Sequence, residues 1–197
     1  MSSTNRKNVH SDNYYVTPLA PIREMLAHAK AIGIEGIDTC KLALDPCAGG
    51  DPRRPTMPYP HVLAEHGIPC ATIDIRQDSS AQFKGDFLHY HKPPDLDFGL
   101  AITNPPFPLA TQIVAHALKH WVDPGGLVIV LQRMNWLGSR KRIAFFREFR
   151  PTNMIVHPVR MSFGLDGKTD SIEYAHFVFR EGVCPQAIQT TLVTDEI

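Results

Sequence analysis

The chain has 197 residues, 43% of them hydrophobic and 20% charged, which suits one domain with a sizeable core. Lys plus Arg number 20 and Asp plus Glu number 20, so bulk charge advertises no nucleic-acid surface and any such footprint must be local. No apolar run approaches the roughly 20 residues of a membrane span, and the N-terminus lacks the apolar core of a signal peptide. Cys40, Cys47, Cys70 and Cys184 form no Cys-x-x-Cys pair, so reduced thiols in a soluble cytoplasmic protein are expected. His89 and His91 flank Tyr90 without a second pair at a metal-ligand spacing, and no metal is expected.

Residues 1–12 are polar and aperiodic and are expected to be disordered. Apolar residues at helical spacing behind Pro21 predict a helix over 22–32. Residues 42–45 read as a short buried strand running into Pro46-Cys47-Ala48-Gly49-Gly50, a small-residue turn where backbone can approach a ligand. A helix over 59–66 and a strand over 71–75 follow, the latter with Asp74 near its end, where a Rossmann-like unit carries a ribose-binding acid. Residues 85–88 predict a weak third strand, 98–103 a fourth, 109–121 a helix, and 126–132 a fifth strand buried on both faces. A basic helix over 139–149 and strands over 154–157 and 174–180 complete the series.

This alternation predicts an α/β, Rossmann-like fold: a seven-stranded, mostly parallel sheet with helices on both faces and ligands at the carboxyl ends of the strands. One domain is expected over 13–182, with 183–197 a weakly attached tail. Asp45, Asp74, Asp86 and Asn104 then fall at four consecutive strand ends. Each alone could be a helix cap or an Asx turn, but the set is stronger than its members.

Asn104-Pro105-Pro106-Phe107 carries the most specific chemistry. An isolated Asn-Pro-Pro stretch can be a turn that ends a buried strand. Here it can also offer two acceptors, the Asn104 amide oxygen and the Pro105 carbonyl, to a planar ring bearing an exocyclic NH2, with Phe107 stacked on the ring face. Holding both N–H bonds out of the ring plane reduces conjugation of the lone pair and makes the nitrogen nucleophilic. Cys47 is read as a packing residue, since no covalent nucleophile is needed.

In this order and composition the chain resembles the class I S-adenosylmethionine-dependent methyltransferases, and more narrowly the amino-group DNA methyltransferases of phage and prophage type. The motifs are Tyr15-Val16-Thr17-Pro18, Asp45-Pro46-Cys47-Ala48-Gly49-Gly50, Asp74-Ile75, Asp86-Phe87 and Asn104 to Phe107, and they span most of the chain. The resemblance implies S-adenosylmethionine as cofactor and S-adenosylhomocysteine as product. The segment with Tyr15, Thr17 and Pro18 and the loop from Asp45 to Gly50 would hold the methionine end, Asp74 with Ile75 the ribose side, and Asp86 with Phe87 the adenine. The family pattern also makes Asn104, Pro105, Pro106 and Phe107 the catalytic motif. Gly49-Gly50-Asp51 departs from the Gly-x-Gly of many relatives.

The implied substrate is DNA, methylated on the 6-amino group of adenine in a bacterial or phage-infected cell. The same acceptor geometry also serves amino groups in RNA or a protein glutamine, and a catalytically silent binding module is a further alternative. Little sequence follows the seventh strand, so target contacts are expected from loops rather than a recognition domain. The candidates are Arg53, Arg54 and Tyr59 in one loop, Arg133, Trp136, Arg140, Lys141 and Arg142 in a second, and Arg160, Phe163 and Lys168 in a third. Monomer and dimer remain open.

Overall fold

A computed structural model describes residues 15–50, 56–163 and 169–194. Its strands are β1 (Ala43–Asp45), β2 (Cys70–Asp74), β3 (Phe83–Lys84), β4 (Phe98–Thr103), β5 (Val122–Arg133), β6 (Asn153–Val156), β7 (Tyr174–Arg180) and β8 (Gln189–Leu192). The helices are α1 (Leu19–Ala31), α2 (Pro58–Glu65), α3 (Ala110–His120) and α4 (Ile143–Glu148). The strands form one sheet in the order β3-β2-β1-β4-β5-β7-β6-β8. The pairs on either side of β1 and β4 are parallel, while β7 runs antiparallel to both β5 and β6.

Side-chain alternation along the buried strands sorts the core into two layers. Leu44, Ala101, Val128, Val130, Phe177 and Phe179 pack on one face against Ile113, Val114 and Ala117 of α3. Their neighbours Ala43, Leu100, Ile102, Leu127, Ile129 and Val178 pack on the other against Ile22, Met25 and Leu26 of α1 and Tyr59, Val62 and Leu63 of α2. On α3 the buried positions are Ala110, Ile113, Val114, Ala117 and Leu118, the stripe that a 3.6-residue period places on one side. Each such aliphatic side chain contributes about 1.5–3 kcal/mol on burial, which makes these layers the main source of stability. Among the described residues no helix is long and apolar enough to cross a membrane.

The α/β architecture with a mostly parallel sheet and helices on both faces stands as expected, but the sheet has eight strands rather than seven. The extra strand lies in the expected tail: Gln189–Leu192 pairs in parallel with β6, and Val193 is buried and donates its N–H to the Val156 carbonyl at 3.0 Å. The third strand is displaced as well. Ile73 and Asp74 pair with Phe83 and Lys84, and the expected strand at 85–88 becomes a turn because the Asp86 side chain accepts the Leu88 N–H at 3.0 Å. The basic helix is shorter than expected. Arg140–Arg142 form a 3₁₀ turn before α4, and the helix ends ahead of Arg150-Pro151, where the proline disfavours helical backbone in the preceding residue.

Trp136, expected at the rim of a binding loop, belongs to the core. It is 3% exposed, with ring centroids of Phe146 and Phe177 at 5.2 Å and of Phe145 at 5.9 Å. Trp136→Ala is expected to lower unfolding free energy by about 3–5 kcal/mol in chemical denaturation, the range for emptying a buried aromatic site. A loss below about 0.5 kcal/mol, typical of a surface position, would contradict this placement.

Candidate active site

Four strand ends build the site. Asp45 closes β1 with 1% exposure, and its Oδ1 accepts the Cys47 N–H at 3.1 Å, which turns the chain sharply after the strand. The loop is then tied to β2: Ala48 N–H donates to the Ile73 carbonyl at 3.0 Å and Gly49 N–H to Asp74 Oδ2 at 2.8 Å. The other Asp74 oxygen, Oδ1, accepts the Arg76 N–H at 2.8 Å. Asp74 is thus a buried clasp between the loops after β1 and β2, with its remaining lone pairs available at the cleft. Gly50 sits at φ +77° with space for a Cβ only 2.8 Å from Ser80 Cβ, so glycine is required there on two counts.

Two adjoining clefts share Tyr15, Cys47 and Asn104 as a common wall. The first is lined by Pro46, Asp74, Ile75, Asp86, Phe87, Leu88, Pro106, Leu109 and Ile113. Ile75 is 58% exposed, an aliphatic face turned outward beside a carboxylate. Phe87 is buried and braced by the rings of His116 at 4.9 Å and Trp121 at 5.3 Å. The second cleft is lined by Thr17, Asp45, Ala48, Gly49, Pro58 and Tyr59. Pro18, at the start of α1, and Gly50 line neither cleft. Arg76, Leu88, Leu109 and Ile113 were not singled out from the sequence; only the four-residue spacing of Leu109 and Ile113 on one helical face could have flagged that pair.

Asn104 stands at the junction of the clefts, directly after β4. Its Nδ2 donates to Thr17 Oγ1 at 3.0 Å, which leaves Oδ1 as the acceptor. Pro105 is buried and Pro106 lies in the first cleft. Phe107 lines neither cleft: the Arg133 guanidinium sits 4.5 Å over its ring, and Tyr174 is 6.2 Å away. Phe163 packs against Tyr15 at 6.1 Å and Tyr174 at 5.1 Å, so the aromatic rings from three separated segments meet at this rim.

The residues expected to contact nucleic acid divide into groups. Arg53, Arg54 and Lys168 lie outside the described residues. Tyr59 and Trp136 are corrected: at 2% and 3% exposure neither ring can stack on a base. Tyr59 is drawn inward because it shares one face of α2 with Val62 and Leu63, and Trp136 because a 3₁₀ turn folds it back onto β7. Arg142 is partly buried, with its Nε donating to the Trp136 carbonyl at 2.6 Å. Arg140 and Lys141 are exposed, and Arg160 is exposed with Glu173 at 3.7 Å.

Burial pushes the Asp45 carboxyl up to about 7 from its ordinary 3.8, against the Thr103 side chain and the Cys47 N–H and with the help of the Asp74 charge. Burial, with the charges of Asp45 and Asp74, likewise raises the Cys47 thiol, which keeps it protonated and unsuited to nucleophilic attack.

The strand order, with an antiparallel seventh strand inserted beside the fifth, is that of the class I S-adenosylmethionine-dependent methyltransferase fold, and comparison with solved structures agrees. A protein from Pyrococcus horikoshii, provisionally assigned as an RNA methyltransferase, aligns with TM-score 0.63 and 18% identity over 90% of this chain and 91% of its own. A provisionally assigned class I methyltransferase from Listeria monocytogenes aligns with TM-score 0.61 and 12% identity over 97% of this chain and 70% of its own. The M protein of the type I restriction enzyme EcoKI aligns with TM-score 0.59 and 12% identity over 88% of this chain and 45% of its own. No family model and no curated protein sequence matches the chain. At these identities the likeness defines the fold, and activity must be argued from the site.

The raised Asp45 carboxyl makes a pH signature. The folded chain holds that proton more tightly than the unfolded one, so its contribution to stability is complete below about 3.8 and is lost as pH rises through about 7. Asp45→Asn removes the ionisation. Its melting temperature relative to the parent is expected to climb between about pH 4 and 7 and then level off, as read by calorimetry without added cofactor. A difference that is flat with pH would show that the carboxyl titrates normally.

Proposed function

We propose that the chain is an S-adenosylmethionine-dependent methyltransferase acting on the exocyclic 6-amino group of adenine in DNA. The observation that carries this reading is Asn104, whose amide is held by Thr17 with its oxygen free at the junction of two clefts. An acceptor in that position, followed by Pro105, is what an incoming amino group requires.

The donor set fits the cofactor. Asp74 offers its remaining lone pairs to ribose hydroxyls, Ile75, Phe87 and Leu88 provide apolar walls for the adenine, and Asp86 stands beside them. The second cleft, with Asp45 and the backbone at Ala48 and Gly49, suits a charged amino-acid end. When bound, S-adenosylmethionine supplies a methyl group already activated on a sulfonium. The chain's own residues then have a positioning task. Asn104 Oδ1 and the Pro105 carbonyl accept the two amino hydrogens, which aims the nitrogen lone pair across the junction and favours the positive charge that grows on nitrogen. Phe107 and the rings of Tyr15, Phe163 and Tyr174 border the place where the base enters. Arg133 at the end of β5, and Arg140, Lys141 and Arg160 in the loops at this end of the sheet, are cations available for phosphate contacts.

DNA is favoured by the order of motifs shared with phage-type DNA methyltransferases and by the likeness to the EcoKI M protein. A second reading, an amino group in RNA, is favoured by the fit to the Pyrococcus protein along nearly its whole length. Transfer of labelled methyl to unmethylated DNA, RNA and total protein in parallel, followed by nucleoside analysis, separates them. The expected product is 6-methyladenine in DNA; label confined to RNA or protein would overturn the substrate, and no label anywhere would overturn the activity. Asn104→Ala is expected to lower transfer by roughly 100-fold or more while leaving cofactor affinity nearly unchanged in calorimetry. Full activity in that variant would remove Asn104 from its role.

A further inference from the structure

Phe107 is the ring on which a target base would stack, and a face of it is already taken. The Arg133 guanidinium lies over the ring, 4.5 Å from its centroid. Arg133 is the last residue of β5, the strand that pairs in parallel with β4, and Asn104 to Phe107 follow β4 directly. The antiparallel ladder sets Arg133 opposite Tyr174 of β7, and residues paired in this way project on the same side of a sheet. Tyr174 accordingly also stands by Phe107, with its ring centroid at 6.2 Å.

The guanidinium is held there without a counter-charge. Among the described residues no carboxylate forms an ion pair with it, and Asp170 is instead bound by the Tyr174 hydroxyl at 2.7 Å. Its Nε N–H is buried and has no hydrogen-bond acceptor. A planar cation thus rests on an aromatic face with one buried donor unsatisfied. A guanidinium resembles a nucleobase in being flat and in stacking on aromatic rings. It differs in carrying a full charge, which a phosphate attracts and an uncharged base does not.

We propose that Arg133 is a specificity-determining residue: it occupies the stacking face of Phe107 until a DNA phosphate draws the guanidinium away, so that adenine in a strand is admitted and free nucleoside is not. The inference rests on Asn104 and Phe107 receiving the target base, and it deepens that reading by naming what opens the site. Base and guanidinium compete for one ring face. A free adenosine must displace the cation with only its own stacking to offset the lost contact. A strand brings phosphate oxygens as well, and these satisfy the guanidinium, the orphaned Nε N–H included, in charge-assisted bonds. Displacement is therefore favourable for the strand and unfavourable for the nucleoside.

Two substitutions separate the parts. Arg133→Ala removes the charge and the plane together, whereas Arg133→Lys keeps the charge and loses the flat stack. With adenosine as acceptor, both variants are expected to transfer labelled methyl about 5-fold faster than the parent, the size of effect for losing a partly buried cation–π contact. With an unmethylated DNA oligonucleotide, Arg133→Ala is expected to raise KM about 5-fold and to reduce the slope of log KM against log salt by about 1, while Arg133→Lys stays near the parent. Adenosine transfer that is no faster in either variant, or an oligonucleotide KM in Arg133→Ala equal to the parent's, would overturn the proposal.

A spectroscopic readout stands apart from activity. The Arg133 Nε–H signal, assigned in ¹⁵N–¹H spectra by its absence from Arg133→Lys, should lie upfield in the parent through the Phe107 ring current and move downfield in Phe107→Leu. It should also move downfield when the oligonucleotide is added and stay in place when adenosine is added. If the parent transfers methyl to no acceptor, the proposed function fails separately. The signal then decides the displacement by itself: movement with the oligonucleotide supports it, and a signal that stays in place overturns it.

Discussion

The Asp74 carboxylate is the constraint on which the rest of the site depends. Two backbone N–H groups from different loops, Gly49 and Arg76, converge on its two oxygens at 2.8 Å, in a place where water has little access. Charge-assisted bonds of this kind are stronger than neutral ones, and here they set the separation of the loops that follow β1 and β2. The first cleft is lined from both loops, by Pro46 and Cys47 after β1 and by Ile75 and Arg76 after β2, with Asp86 following β3 on the next strand outward. One side chain thus serves as a structural clasp and as a wall of the cleft.

Asn104 is treated differently on its two sides. In front lie open clefts bordered by aromatic rings and by cationic loops. Behind it, Tyr59 and His176 form a buried polar pair, 3.1 Å apart, among aliphatic residues of α2, β6 and β7. Buried polar groups are costly when unpaired. Amphipathic periodicity of α2 buries Tyr59, and its phenol finds the His176 ring as a partner inside.

The alternation of strands and helices and the mostly parallel sheet were legible from the chain, because each is written locally: strand length, side-chain alternation, small-residue turns and the rigidity of proline act over a few residues. The apolar stripe of α3 and the doubly buried β5 belong to the same kind of signal. What misled was mostly at boundaries. Asp86 reads as a strand end but caps a turn, and Gln189–Leu192 reads as a polar tail but completes the sheet, since an edge strand needs only backbone hydrogen bonds and little apolar sequence.

By itself, the sequence determined the α/β class with its mostly parallel sheet, because strand and helix periodicities are written over a few residues. Tertiary structure alone decided which aromatic and basic residues face the site. Trp136 went to the core through Phe177, about 40 positions away, whereas the apolar face of α2 buries Tyr59 and the fold then brings it to His176, more than 100 positions away. Arg133 came to rest over Phe107, and the link from Asn104 to Thr17 spans 87 positions. Contacts at such separations are products of chain packing, and no local pattern of residues encodes them.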